Sequence, residues 1–130
     1  MDPKLVTFIE DVVQTVVGLD VVLFYQANPR TFDTARGVAL RTHRSIEEVE
    51  EVLERLAAAG VLEAFSRGEG RYTCYALPKD PAAWNLLCRL SEAFLDRSDS
   101  RKEIIKIIVK RQAARRNAPE TPNAVGDTRP

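Results

Sequence analysis

Apolar residues recur at spacings of three and four over residues 4–16, where Leu5, Phe8, Ile9, Val12, Val13 and Val16 share one helical face and Pro3 suits the first turn. Gly18 is expected to weaken or break that helix. A second helix is predicted over about 19–27, carrying Leu19, Val22, Leu23 and Phe24. It must stop before Asn28-Pro29, because the residue preceding a proline avoids the α region. Pro29 to Phe32 then reads as a loop, with Asp33 or Thr31 able to cap a third helix over about 33–42.

Ser45-Ile46-Glu47-Glu48 is a capping box, in which the Ser45 hydroxyl accepts from the Glu48 N–H and the Glu48 side chain reaches back to the Ser45 N–H. It opens a helix over about 45–59 with Ile46, Val49, Val52, Leu53 and Leu56 facing inward and Gly60 as the stop. The period then changes. Val61 to Arg67 and Arg71 to Leu77 are strand-like runs joined by Gly68-Glu69-Gly70, a hairpin signal. Asp80-Pro81 caps a helix over about 81–96, with Trp84, Leu87, Cys88, Ser91 and Leu95 on one face. Ser98-Asp99-Ser100 breaks it, and Ser100 with Glu103 opens a last helix to about 116 that carries Ile104, Ile105, Ile107, Ile108 and Val109. Residues 117–130 hold three prolines and little apolar material, the composition of a disordered tail.

This order of elements resembles a winged helix-turn-helix domain. The resemblance is carried by Ala39, Val49, Leu53, Leu56 and Gly60-Val61-Leu62, followed by the Arg67–Arg71 hairpin. It implies that Ala39 is the small residue letting the second and third helices cross closely, and that Val49 packs back on the crossing. The stretch 56–62 would be the exit from the third helix into the wing. The expected fold is mainly α with a small β-hairpin wing. Its winged helix-turn-helix core spans 19–78, with a flanking helix over 1–18, further helices over 79–116 and the tail over 117–130. His43 stands in the turn where the family usually has glycine, flanked by Thr42 and Arg44, which predicts a looser or longer turn.

With 130 residues, 45% of them hydrophobic and 29% charged, the chain is of globular type and not wholesale disordered. Glu10 and Asp11 interrupt the first apolar stretch, so no signal peptide is expected. Gln14, Gly18 and Asp20 break the longest one, so no membrane span is expected. Two cysteines at unrelated positions make no disulfide framework, which points to a reducing, cytoplasmic setting.

Lys plus Arg balance Asp plus Glu at 19 each, but the charges are segregated. Residues 31–63 hold four arginines against seven carboxylates, whereas residues 100–116 hold seven cations against Glu103 alone. In DNA-binding relatives the third helix enters the major groove. Here its outer face carries Glu47, Glu48, Glu50, Glu51 and Glu54 beside Arg55, and DNA presents one negative charge per about 1.7 Å of axis. The five glutamates form either a protein-binding face or a solvated one favoured by the helix dipole, and under both readings DNA is disfavoured there.

Anion or nucleic-acid contact falls instead to Arg67 and Arg71 at the wing and to Lys102, Lys106, Lys110 and Arg111 on the last helix. That helix also suits dimerisation, docking on its own core, anionic lipid, or an acidic protein surface. Leu5, Phe8, Ile9, Val12, Val16, Ile104, Ile105 and Ile108 supply material for a homodimer interface.

Catalysis finds no footing. His43 has no paired nucleophile, Cys74 and Cys88 lack the further donors zinc requires, and Gly68-Glu69-Gly70 precedes no helix that would make it a phosphate loop. No cofactor or metal is expected. The sequence therefore favours a non-catalytic winged-helix interaction module working by protein contact as a homodimer. The alternative is a DNA-binding transcriptional regulator that contacts phosphates through the wing and the basic last helix.

Overall fold

The computed structural model describes residues 1–117, so the expected tail lies outside the described residues apart from Asn117, the last residue of the final helix. Helix α1 (Pro3–Phe8) starts on Asp2, whose carboxylate accepts from the Lys4 N–H, and continues into a π-helical turn over Ile9–Val13. That turn buries Ile9 and Val13 and ends at Gln14, which holds a positive φ of 61°. The break predicted at Gly18 therefore comes four residues earlier. Gly18 lies inside the first turn of α2 (Val16–Ala27), where its N–H donates to the capping Thr15 hydroxyl at 2.9 Å. No side chain fits there: a Cβ on Gly18 would lie 2.0 Å from the Val13 carbonyl oxygen.

A short strand, β1 (Phe32–Thr34), occupies what reads in sequence as loop. Thr34, not Asp33 or Thr31, caps α3 (Ala35–Thr42), accepting from the Gly37 N–H at 3.1 Å. Asp33 instead takes the Thr34 N–H, with its carboxylate laid against the bare Cα of Gly37.

The turn to α4 (Ile46–Ala58) is short rather than loose. His43 adopts φ 60°, ψ 41°, and the Arg44 N–H closes on the Ala39 carbonyl at 3.1 Å. Ser45 caps α4 as expected, although Glu48 accepts from the Ser45 hydroxyl and not from its N–H. Val49, Val52, Leu53 and Leu56 are buried, and Ile46 is exposed, on the solvent side of the first turn.

Strands β2 (Glu63–Arg67) and β3 (Tyr72–Ala76) form the wing hairpin, starting after the buried pair Val61 and Leu62. Strand β3 lies at the centre of an antiparallel sheet of order β1-β3-β2. A three-helix unit closed by a three-stranded sheet with a hairpin at its edge is a winged helix-turn-helix fold, carrying one helical segment before it and two after.

Of those two, α5 (Pro81–Leu95) packs on α2, and α6 (Ser98–Asn117) packs on α5 and on the π-helical turn. The expected face of α5 is turned by about one residue. Ala83, Leu87, Leu90 and Ser91 are buried, while Trp84 is half-buried and Leu95 exposed, because α5 docks through the stripe that meets α2. Helix α6 includes Ser98 to Ser100, so that triplet starts the helix instead of breaking the chain.

Leu5, Phe8, Ile9, Ile104 and Ile108, residues expected at a dimer interface, are buried in the core of the single chain. Val12 is partly buried, and Val16 and Ile105 remain exposed. The apolar residues of the π-helical turn and of α6 thus cover each other, while α1 packs on α5. At the far end of α2, Tyr25 is buried and its hydroxyl donates to the Tyr75 carbonyl at 2.9 Å. Burial and the nearby Asp33 carboxylate raise its pKa well above the ordinary tyrosine value.

Candidate functional site

Helix α4 faces solvent with Glu47, Glu48, Glu50, Glu51 and Glu54, all exposed. Among the described residues only Glu51 of the five makes an ion pair, with Arg115 at 3.4 Å, and Glu48 holds the Ser45 hydroxyl. Glu54 and Glu50 also bear on Tyr75 of the sheet, whose pKa is raised by burial first and by these two carboxylates next.

Arg55, which sequence places on the same outer face, turns the other way. Its Nε donates to the Val12 carbonyl at 2.6 Å and its Nη2 to the Val13 carbonyl at 3.1 Å, closing the C-terminal end of the π-helical turn. Burial lowers its pKa, Glu51 opposes the shift, and Arg115 and Arg111 add to it. The solvent face of α4 is therefore more uniformly acidic than its sequence.

The basic last helix divides into two parts. Its C-terminal half staples the fold: Arg111 donates to the Glu10 carbonyl at 3.1 Å, Gln112 accepts the Val16 N–H at 2.9 Å, and Arg115 meets Glu51. Lys102, Lys106 and Lys110 stay exposed along a cavity of about 730 Å³, which Glu10, Asp11, Asp99 and Glu103 also line. This surface mixes both signs and is not a bare cationic track.

At the wing, Arg71 is exposed beside the hairpin tip. Arg67 is not a free strand-end charge, since its guanidinium lies 5.1 Å from the Phe32 ring centroid and 5.6 Å from that of Phe65. The two rings are themselves 5.4 Å apart. Sequence reading missed this cluster because Phe32 lies in an unpredicted strand and its partners are 33 and 35 positions away. The one signal available was the alternation Phe65, Arg67 on β2.

His43 is exposed at its turn, Cys74 is buried and Cys88 half-buried. Among the described residues no three His, Cys, Asp or Glu side chains come together as metal ligands, and no helix is long and apolar enough to cross a membrane.

No family model matches the chain, and no curated protein matches it. Among solved structures it is similar to the PcaV transcriptional regulator from Streptomyces coelicolor in complex with its natural ligand. The identity is 21%, the alignment covers 85% of this chain and 84% of that one, and the TM-score is 0.44.

Proposed function

We propose that this chain is a non-catalytic winged-helix module of the regulator kind that acts by binding, and that α4 meets a basic surface of a protein partner. The observation that carries this reading is the solvent face of α4: five exposed glutamates, with its one arginine withdrawn to cap Val12 and Val13. Seated in a major groove, those carboxylates would face phosphates without partners, which costs several kcal/mol per desolvated charge in order of magnitude. Homodimerisation belongs to the same reading, and Val16, Leu95, Ile105 and Val109 are among the exposed apolar residues that support it.

The second reading is a DNA-binding regulator that contacts phosphate through the wing and α6. It is favoured by the exposure of Arg71, Lys102, Lys106 and Lys110. It also agrees with the activity named for the Streptomyces coelicolor protein, whose likeness to this chain is one of fold.

Fluorescence anisotropy with labelled duplex DNA at low salt separates the two readings. The protein-contact reading expects no duplex binding by the native chain, and a gain of duplex affinity when Glu50→Lys and Glu54→Lys remove the repulsion. Tight, salt-steep duplex binding by the native chain that Arg71→Gln and Lys106→Gln weaken would replace it with the second.

A further inference from the structure

We propose that the outer face of the three-stranded sheet binds single-stranded nucleic acid, with Phe32, Tyr72 and Arg67 as stacking surfaces and Arg30, Arg41 and Arg71 as phosphate contacts. This goes beyond both readings above: it shares Arg71 with the second, but its stacking surfaces and its other arginines belong to neither.

The register builds the face. Cross-strand partners share a side of a sheet and alternate residues along a strand return to it. Phe32 pairs with Ala76, Phe65 with Cys74 and Arg67 with Tyr72, so all six share one side, and Glu63, which also partners Ala76, shares it with them. Tyr75, one residue out of step, takes the opposite side and belongs to the core.

Phe32 and Tyr72 are 46% and 50% exposed, large rings near opposite ends of the same side of a small sheet. Arg67 lies over Phe32 and Phe65, which leaves its outer guanidinium plane open to a base. Beyond Phe32 the face runs into a cavity of about 470 Å³ lined by Asn28, Pro29, Arg30, Thr31, Phe32 and Arg41. There Arg41 is held over the Phe24 ring at 4.7 Å. Four arginines thus border the rings, against Glu63 at one strand end and Glu69 at the hairpin tip.

The chemistry selects the occupant. An apolar protein surface would use the rings but strip water from guanidinium groups without replacing it. An acidic peptide would use the arginines and leave the rings wet. Unpaired bases joined by phosphates use both, as stacking platforms flanked by cations do. Paired bases do not serve, because their faces are already stacked in the duplex.

The test is anisotropy of the full chain at low salt with a labelled 12-nucleotide single strand and with a duplex of the same sequence. The single strand is expected to bind more tightly than the duplex. Phe32→Ala and Tyr72→Ala should each weaken it roughly tenfold. Arg71→Gln, an exposed change that leaves the fold intact, should flatten the slope of log affinity on log salt by about 0.7. Glu50→Gln with Glu54→Gln should leave single-strand binding unchanged or slightly stronger. Circular dichroism melts of each variant separate lost binding from lost fold. Duplex preference, or a Phe32→Ala/Tyr72→Ala double variant that melts as the native chain does and binds as well, overturns the proposal. No binding at all also overturns it and leaves the face to a protein partner. The double variant that binds as well, or no binding at all, leaves the reading of α4 untouched, whereas duplex preference also counts against it.

Discussion

Of the three non-glycine residues that hold nearly the same positive φ, Gln14, His43 and Glu69, the first two sit in turns that are secured differently. At His43 the turn between α3 and α4 closes on itself, with the Arg44 N–H on the Ala39 carbonyl and the Thr42 hydroxyl on the Val38 carbonyl at 2.8 Å. At Gln14 the chain leaves the π-helical turn with local bonds from Gln14 Nε2 to the Asp11 carbonyl, from the Gln14 N–H to the Ile9 carbonyl and from the Thr15 N–H to the Val13 carbonyl. The other partners come from afar: Arg55 to Val12 and Val13, Gln112 to Val16, Arg111 to Glu10. The first junction is closed by adjacent residues, with one distant contact, Arg44 Nε to the Asp20 carboxylate at 2.7 Å. The second gains most of its side-chain bonds when α4 and α6 dock, so the acidic helix is tied to the segments that flank the winged unit.

The sharpest way to break the distant junction is at its closest approach. The Val13 carbonyl accepts from the Thr15 N–H and from Arg55, and it stands where a Cβ of residue 18 would be. Gly18→Ala must push that backbone oxygen away and lose the Arg55 contact with it. The expected loss is about 3 kcal/mol, the upper range for overpacking, and roughly 10 °C in Tm by circular dichroism. A melt within a degree or two of the native one would show that the junction relaxes freely.

Arg55→Met removes the donors and leaves the chain otherwise in place. Two carbonyls at a half-buried helix end lose charge-assisted bonds, for an expected loss of about 2 kcal/mol in urea unfolding. Arg115→Met, which breaks an exposed pair with Glu51, should cost less than about 0.5 kcal/mol. Equal effects would mean that α4 is held by surface charge and not by the capped turn.

What could be read in advance follows the same division. The Ser45 cap, the stop at Gly60, the hairpin and the winged-helix order are written in neighbouring residues, and the structure contains them, with Glu48 on the Ser45 hydroxyl in place of its N–H. The acidic face of α4 was legible for the same reason, since helical period alone puts Glu47, Glu50 and Glu54 outside. The role of Arg55 was not, because nothing within four residues distinguishes a solvated arginine from one that caps carbonyls 42 and 43 positions back. The apolar residues of the first and last helices were recognised as needing cover. Whether a second chain or the same chain provides it depends on how α6 folds back, and no local pattern encodes that. Strand β1 escaped because three residues carry too little alternation, and with it went the ring cluster at Phe32.

The smallest expected effect distinguishes the two turns by sign. His43 is exposed and its side chain makes no hydrogen bond among the described residues, so His43→Gly removes left-handed strain at the cost of a more flexible unfolded chain. Strain of about 1 kcal/mol against a slightly smaller entropic term leaves a net gain of about 0.5 kcal/mol in urea unfolding. Gln14→Gly relieves a comparable strain, at φ 61° and ψ −34°, but also deletes the bond from Nε2 to Asp11 at 2.8 Å. That bond is worth about 1 kcal/mol, so the net change at Gln14 should be near zero or a small loss. If both glycines stabilise alike, the Gln14 side chain contributes nothing, and the junction before α2 rests entirely on the arms that α4 and α6 extend to it.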